Sequence, residues 1–193
     1  MKVAVFLTYN YSLQTWLNSG TLNRELEIYK QISNINSTEF TFYTYGGSDD
    51  LSLIKNYPKF KVVPMFKKIT TKSKLLKFLY SLFIPVIFRE NIKKEDILHQ
   101  HQLLGSWVVL ISKLVYSKKV LIRTGYDMFE FSKLNNESLM RRFLLSCLTY
   151  VSLKFSDIYT TTSQEDIKFL KSNYKFNHKK IKLRPNWIID NNF

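Results

Sequence analysis

Short apolar runs alternate along the chain with longer stretches whose apolar positions recur at three and four. Lys2–Tyr9 (KVAVFLTY) has strand length and is followed by a polar loop carrying Asn10, Ser12, Asn18, Ser19 and Gly20. Thr21–Ile35 then sets Leu22, Leu26, Tyr29 and Ile32 on one helical face. Phe40–Tyr45 predicts a second strand, stopped by Gly46-Gly47, and Ser48 predicts the cap of a short helix with Asp49 and Asp50 in its first turn. Phe60–Pro64 predicts a third strand.

The same alternation continues. Leu75–Phe88 is helical in pattern up to Pro85, Asp96–His101 (DILHQH) is strand-like, Gly105–Tyr116 is helical, and Lys119–Arg123 (KVLIR) predicts a buried strand. Glu137–Ser156 predicts a long helix with Leu139, Phe143, Leu144, Cys147, Leu148 and Val151 turned inward. Asp157–Thr161 predicts a strand. Ser163 and Asp166 have capping-box spacing ahead of a helix over Glu165–Asn173, and Ile181–Arg184 closes the series. Strands and helices in strict alternation predict an α/β domain, a doubly wound and mostly parallel Rossmann-like sheet of about seven strands. Ligands of such a sheet sit beyond the carboxyl ends of its strands.

Composition narrows the class. The chain has 193 residues, 45% of them hydrophobic, which suits one large domain with a real core. Cys147 is the only cysteine, so a disulfide scaffold is excluded and a reducing, cytoplasmic setting is expected. No apolar run reaches the ~18 residues of a membrane-spanning helix. The formal charge is +14, and ten of those units fall between Lys55 and Lys94, where ten lysines and Arg89 face the single acid Glu90. Such a segment seeks phosphates of nucleic acid or anionic lipid, or is a solvated surface. Lys67, Lys68, Lys72, Lys74 and Lys77 run directly into the apolar stretch from Leu75, the composition of an interfacial helix, and an anionic membrane surface is the expected partner. The competing expectation buries Leu75, Leu76, Phe78, Leu79, Leu82 and Phe83 as an ordinary core helix. Aromatics interleaved with basic residues on a recognition element are missing, so a nucleic-acid partner is not expected.

The candidate chemistry lies at strand ends. Neither a dinucleotide fingerprint nor a P-loop follows the first strand, which leaves Ser19-Gly20-Thr21 opening a helix whose free N–H groups suit a phosphate or sugar hydroxyl. His99 and His101 stand two apart and share a face of their strand. Metal-ligand spacing to His178 or Cys147 is lacking, so no metal is expected, and a histidine here can instead accept a hydroxyl proton. Arg123-Thr124-Gly125-Tyr126-Asp127 puts a cation, a flexible glycine, a phenol and a carboxylate at one strand terminus, a mixture suited to sugars and phosphates.

Taken in order, the Ser19-Gly20-Thr21 loop, DILHQH at 96–101, LIRTGYD at 121–127, SDIYTTTS at 156–163 and KLRPNWIID at 182–190 resemble the amino-terminal half of a GT-B glycosyltransferase of family 4. The resemblance covers nearly the whole chain. It departs from the family pattern in having one glycine where two are common in the first loop, Tyr126 where many members carry His, and Thr149 where an acid is common.

The resemblance implies a Rossmann-like acceptor-binding domain over 1–185 and the start of an inter-domain hinge over 186–193, marked by Asn186 and Asp190. It implies the acceptor-binding half of a retaining, nucleotide-sugar-dependent hexosyltransferase acting in cell-surface polysaccharide or lipid-linked glycan assembly. The nucleotide-sugar is then a substrate of the complete enzyme, no cofactor is needed, and the acceptor is a glycan or lipid-linked glycan. The family's second half, with its E-x7-E donor site, has no counterpart here, so a separate donor-binding half is an expected partner and this chain alone is expected to be inactive. His101 and Asp127 are the expected catalytic groups, with Ser19, Gly20, Thr21, His99, Arg123 and Tyr126 as substrate contacts. The expected location is the inner face of the membrane. A non-catalytic basic protein binding a membrane or nucleic acid, or a degenerate fragment, is the alternative.

Overall fold

The structure, a computed structural model, describes residues 1–186. Seven strands form one parallel sheet: β1 (Lys2–Phe6), β2 (Glu39–Thr44), β3 (Phe60–Pro64), β4 (Ile97–Gln100), β5 (Lys119–Arg123), β6 (Ile158–Thr161) and β7 (Ile181–Leu183). Their order across the sheet is β3-β2-β1-β4-β5-β6-β7, and every pair is parallel. The chain winds outward from β1 to β3, then crosses to β4 on the other side of β1 and winds outward again. The strand order therefore reverses between β1 and β4, and the carboxyl ends there diverge into a crevice.

Eight α-helices connect the strands: α1 (Leu13–Asn18), α2 (Leu22–Asn36), α3 (Lys74–Ile87), α4 (Arg89–Ile92), α5 (Ser106–Tyr116), α6 (Met128–Leu134), α7 (Leu139–Phe155) and α8 (Gln164–Asn173). Strand β1 shows why both faces are covered. Val3, Val5 and Leu7 join Trp16, Leu22, Leu26 and Tyr29 in one core, while Ala4 and Phe6 join Ile84, Val108, Val109 and Leu153 in the other. A strand buried on both sides must be apolar at every buried position, as VAVFL is from Val3 to Leu7.

The strands fall where the hydrophobic pattern places them, within one residue at their ends except β1, which stops at Phe6, three residues short of Tyr9. Three short helices lie where the sequence pattern placed no helix: α1 in a stretch read as a polar loop, and α4 and α6 in stretches left unassigned. Ser12 starts α1 with a reciprocal capping box to Thr15, and Asp50 adds a carboxylate acceptor for Gln14 N at 3.1 Å. The same Asp50 takes a hydrogen bond from Thr44 Oγ1 at 2.5 Å. Gly46 is required beside it, because a Cβ there would stand 2.3 Å from the Asp50 carboxylate.

The face of the long helix is the main correction. Leu145, Thr149, Ser152 and Leu153 are the buried positions of α7, while Leu139, Phe143, Leu144, Cys147 and Val151 face outward and Leu148 is half-buried. Small side chains decide this: Ser152 Oγ meets Ser106 Oγ at 3.1 Å, so α5 and α7 approach through serines rather than through the bulkier leucines. Ser163 accepts from Asp166 N at 3.0 Å, but Asp166 turns its own carboxylate to Thr161 Oγ1 at 2.7 Å, so the expected reciprocal box is only half formed. Among the described residues no helix is long and apolar enough to cross a membrane.

Candidate functional site

The crevice at the switch point opens into a cleft of about 480 Å³. Its walls come from the loop after β1 (Thr8, Tyr11), from α1 and the start of α2 (Trp16, Ser19, Thr21, Arg24, Glu25), and from the ends of β4 and β5. These last supply His101, Gln102, Arg123, Gly125 and Tyr126, and Asn186 closes the far side. A smaller hollow of about 130 Å³ around Tyr57 and Phe60 lies at the opposite, amino-terminal edge of the sheet and brings no comparable set of polar groups together.

Glu25 holds the centre of the cleft. It stands in the first turn of α2, 4% exposed, and its Oε2 is 3.1 Å from His101 Nε2. Arg123 Nη1 is 3.2 Å from the same imidazole nitrogen, and Arg123 Nη2 donates to Asn186 Oδ1 at 2.7 Å. Arg24 Nη2 reaches the other Glu25 oxygen at 2.9 Å. A guanidinium only donates and an ionised carboxylate only accepts, so one imidazole nitrogen cannot serve both. The Nε2–H tautomer follows, because the alternative aims a lone pair at the carboxylate. Arg123 then contributes charge to the Glu25 carboxylate rather than a hydrogen bond to the ring.

The electrostatics agree with that assignment. Burial pushes the Glu25 carboxyl up, but the hydrogen bond from His101 and the charge of Arg123 more than offset it and hold it below the usual range. Burial pushes His101 down despite the opposing pull of Glu25, so its ring is neutral at neutral pH. Its Nδ1, the nitrogen that Glu25 leaves over, is buried from solvent and has no hydrogen-bond partner among the described residues. The result is a base held in one tautomer by a carboxylate, packed 4.9 Å from the Trp16 ring.

His99, one pleat further back, lies under α2 with Nδ1 3.5 Å from Tyr29 Oη and does not line the cleft. Burial, then the charges of Arg184 and Arg123, hold it well below the usual imidazole range, so it packs as a neutral ring. Ser19 and Thr21 flank Gly20, whose φ of 70° makes the turn into α2. Their hydroxyls pair with each other at 2.9 Å and both reach Trp16 O. Thr21 makes no side-chain capping bond, so that hydroxyl does not occupy the first-turn N–H groups of α2, whose amino-terminal residues Thr21, Arg24 and Glu25 line the cleft. Tyr126 is half exposed on the cleft rim against Phe131. Asp190 lies outside the described residues. Among the described residues no group of three or more His, Cys, Asp or Glu side chains is arranged to hold a metal ion.

The structure places Asp127 away from the cleft lining. It is the N-cap of α6, with Oδ1 accepting from Glu130 N at 2.7 Å, and its backbone N–H donates to Asp166 Oδ1 at 3.3 Å. Its geometry is that of a positioning residue: it anchors the turn that carries Gly125, Tyr126 and Met128 to the cleft. Burial, with the Asp166 and Glu130 charges adding to it, pushes its pKa up to about 6. A carboxyl raised on folding favours the folded state below its unfolded pKa of about 3.9 and loses that contribution as pH rises through about 6. Asp127→Asn keeps the capping oxygen and removes the charge. Chemical denaturation should therefore find it more stable by about 1–3 kcal/mol at pH 7.5, with the gain gone below about pH 4. A variant less stable than the parent at pH 7.5 would contradict this placement.

No protein-family model matches the chain, and no curated protein does. Solved structures do. HepE of Anabaena, determined in complex with UDP-glucose, superposes on 97% of the chain with a TM-score of 0.62 at 10% identity. A sucrose-phosphate synthase fragment from Thermosynechococcus elongatus superposes on 100% of it with a TM-score of 0.65 at 12% identity, and a Rickettsia africae glycosyltransferase on 95% with 0.54 at 16%. The fold is that of one half of a GT-B glycosyltransferase. The chain spans 44% of HepE and 42% of the Rickettsia protein, against 91% of the synthase fragment.

Of the residues singled out in the sequence, His101, Arg123, Ser19, Thr21, Tyr126 and Asn186 come together on the switch-point cleft. Glu25, Trp16, Arg24 and Gln102 join them without having been singled out. Glu25 had a signal: it falls three residues after Leu22 and four before Tyr29, an acid inside the apolar face of α2.

Proposed function

We propose that the chain is the acceptor-binding half of a retaining, nucleotide-sugar-dependent glycosyltransferase that builds a cell-surface or lipid-linked glycan. The observation that carries the reading is the Glu25–His101–Arg123 chain at the switch-point cleft of a fold shared with glycosyltransferases. A sugar acceptor presents hydroxyls, and a lipid-linked one also presents phosphate. Nδ1 of neutral His101 is the ring nitrogen left to accept a hydroxyl hydrogen once an acceptor displaces the side chains that bury it, and Glu25 stabilises the ring as positive charge develops on it. Arg24, Arg123 and the positive end of α2 draw the anionic part of a substrate into the same cleft. Asn186 and Asp190 start the hinge to a donor-binding half, which supplies the nucleotide-sugar and completes a site between two domains.

The test is release of nucleotide from a panel of nucleotide-sugars in the presence of glycan and lipid-linked acceptors. The 193-residue chain alone should give only background hydrolysis, and the chain joined after Phe193 to a donor-binding half should give acceptor-dependent release. Acceptor-dependent release by the chain alone would overturn the division of labour between the halves.

A further inference from the structure

We propose that the outward face of α3, α5 and α7 docks the chain on an anionic lipid surface, with the mouth of the cleft beside the headgroups. Most apolar side chains of α3 stay outside the core: Leu75 is 66% exposed and Phe83 60%, and Ser81, Ile84 and Pro85 are its buried positions. The same is true two helices away, where Leu114 is 71% exposed on α5, and Leu139 and Phe143 are 79% and 67% exposed on α7. These are one surface. Helix α5 packs between α3 and α7, and an apolar groove of about 380 Å³ lined by Leu114, Leu144, Cys147 and Val151 joins α5 to α7. A contiguous apolar face of this extent marks a contact with another apolar phase.

Charge selects the occupant. None of the three helices contains an acidic residue, and the chain from Leu51 to Arg89 contains none either. Lys67, Lys68, Lys72, Lys74 and Lys77 lead into the first turn of α3, and Arg142 stands in the first turn of α7 beside Arg141, which pairs with Glu137 at 2.8 Å. Basic residues of one sign bordering an apolar band match a bilayer, whose anionic headgroups overlie hydrocarbon. No described helix is long enough to span, so the helices lie in the headgroup plane.

Orientation follows from the winding. In a parallel sheet each connecting helix starts at the carboxyl end of its preceding strand, so α3, α5 and α7 all begin on the cleft side. Phe78 of α3 meets Trp107 of α5 at 5.4 Å and Tyr9 at 6.3 Å between ring centroids, and the neighbouring Thr8 lines the cleft. The apolar face thus begins one residue from the site. This inference rests on no part of the glycosyl-transfer reading, and a vesicle assay reads it without activity.

Cys147, exposed in the α5–α7 groove and the only cysteine, accepts an environment-sensitive fluorophore. The chain should co-sediment with phosphatidylglycerol-containing vesicles, bind phosphatidylcholine vesicles at least about tenfold more weakly, and lose binding as salt rises. Emission from labelled Cys147 should shift to the blue on the anionic vesicles. Replacing Lys67, Lys68, Lys72 and Lys74 together by Gln should lower partition by about 100-fold or more. Leu139→Ser with Phe143→Ser should remove the blue shift and lower partition about tenfold, with an unchanged circular-dichroism spectrum because both side chains are exposed. Equal partition onto neutral and anionic vesicles, or none onto either, overturns the proposal. Binding with silent Cys147 overturns it too, by confining contact to α3. A dilution-sensitive dimer whose Cys147 emission is already blue in buffer would assign the face to a second copy of the chain.

Discussion

Glu25→Ala should cost the folded chain about 3–5 kcal/mol, the range seen when one partner of a buried ionic pair is removed. The reason is what remains behind. Arg123 is 3% exposed and His101 5%, and without the Glu25 carboxylate a guanidinium stays buried beside a neutral ring with its main counter-charge gone. Glu25→Gln should cost less than Glu25→Ala, because the amide oxygen still accepts from His101 while the charge is lost. Equilibrium urea denaturation at pH 7.5 measures both. Glu25→Ala as stable as the parent would mean that solvent reaches Arg123 and that the cleft floor is not closed as described.

The second large effect is on turnover. With a donor-binding half joined to the chain, His101→Ala should lower acceptor-dependent transfer by roughly 10²–10⁴, the span over which positioned acid–base groups act. Arg123→Ala should weaken it comparably by releasing the acceptor's anionic group, and much of its loss should appear in KM. Asp127→Asn should leave transfer within a few-fold of the parent, since its carboxyl anchors α6 rather than lining the cleft. Parental rates in both His101→Ala and Arg123→Ala would remove these residues from the chemistry and leave them as packing groups.

What the sequence made legible follows from which interactions are local. Strands buried on both faces must be continuously apolar, so β1 and β5 stood out from their own residues, and alternation with helices gave the parallel sheet. The same locality failed for α1 and α6. These helices are short, and α1 is held partly by Asp50, far along the chain. It failed again for the face of α7. Its sequence is apolar on more than one side, and the choice of Ser152 over Leu144 as the contact depends on Ser106 of a different helix.

The site was half legible for the same reason. His101 and Arg123 announce themselves by ending strands, and the end of a strand in a doubly wound sheet is where ligands bind. Asp127 shares that position in sequence, yet its cap to Glu130 and the nearby Asp166 draw it beneath the turn. Glu25 was marked only by interrupting an apolar helix face. Its partners, His101 and Arg123, lie 76 and 98 positions away, and nothing in one dimension joins them.

The most direct measurement is an amide-resolved NMR titration of the chain with a short-chain polyprenyl diphosphate sugar as the acceptor probe. The expected result is saturable shifts at Thr21, Arg24, Gln102 and Gly125 around the cleft, lost in Arg123→Ala. Shifts gathered at the hollow of Tyr57 and Phe60, or no saturable shift at any concentration, would contradict the assignment of the switch-point cleft as an acceptor site.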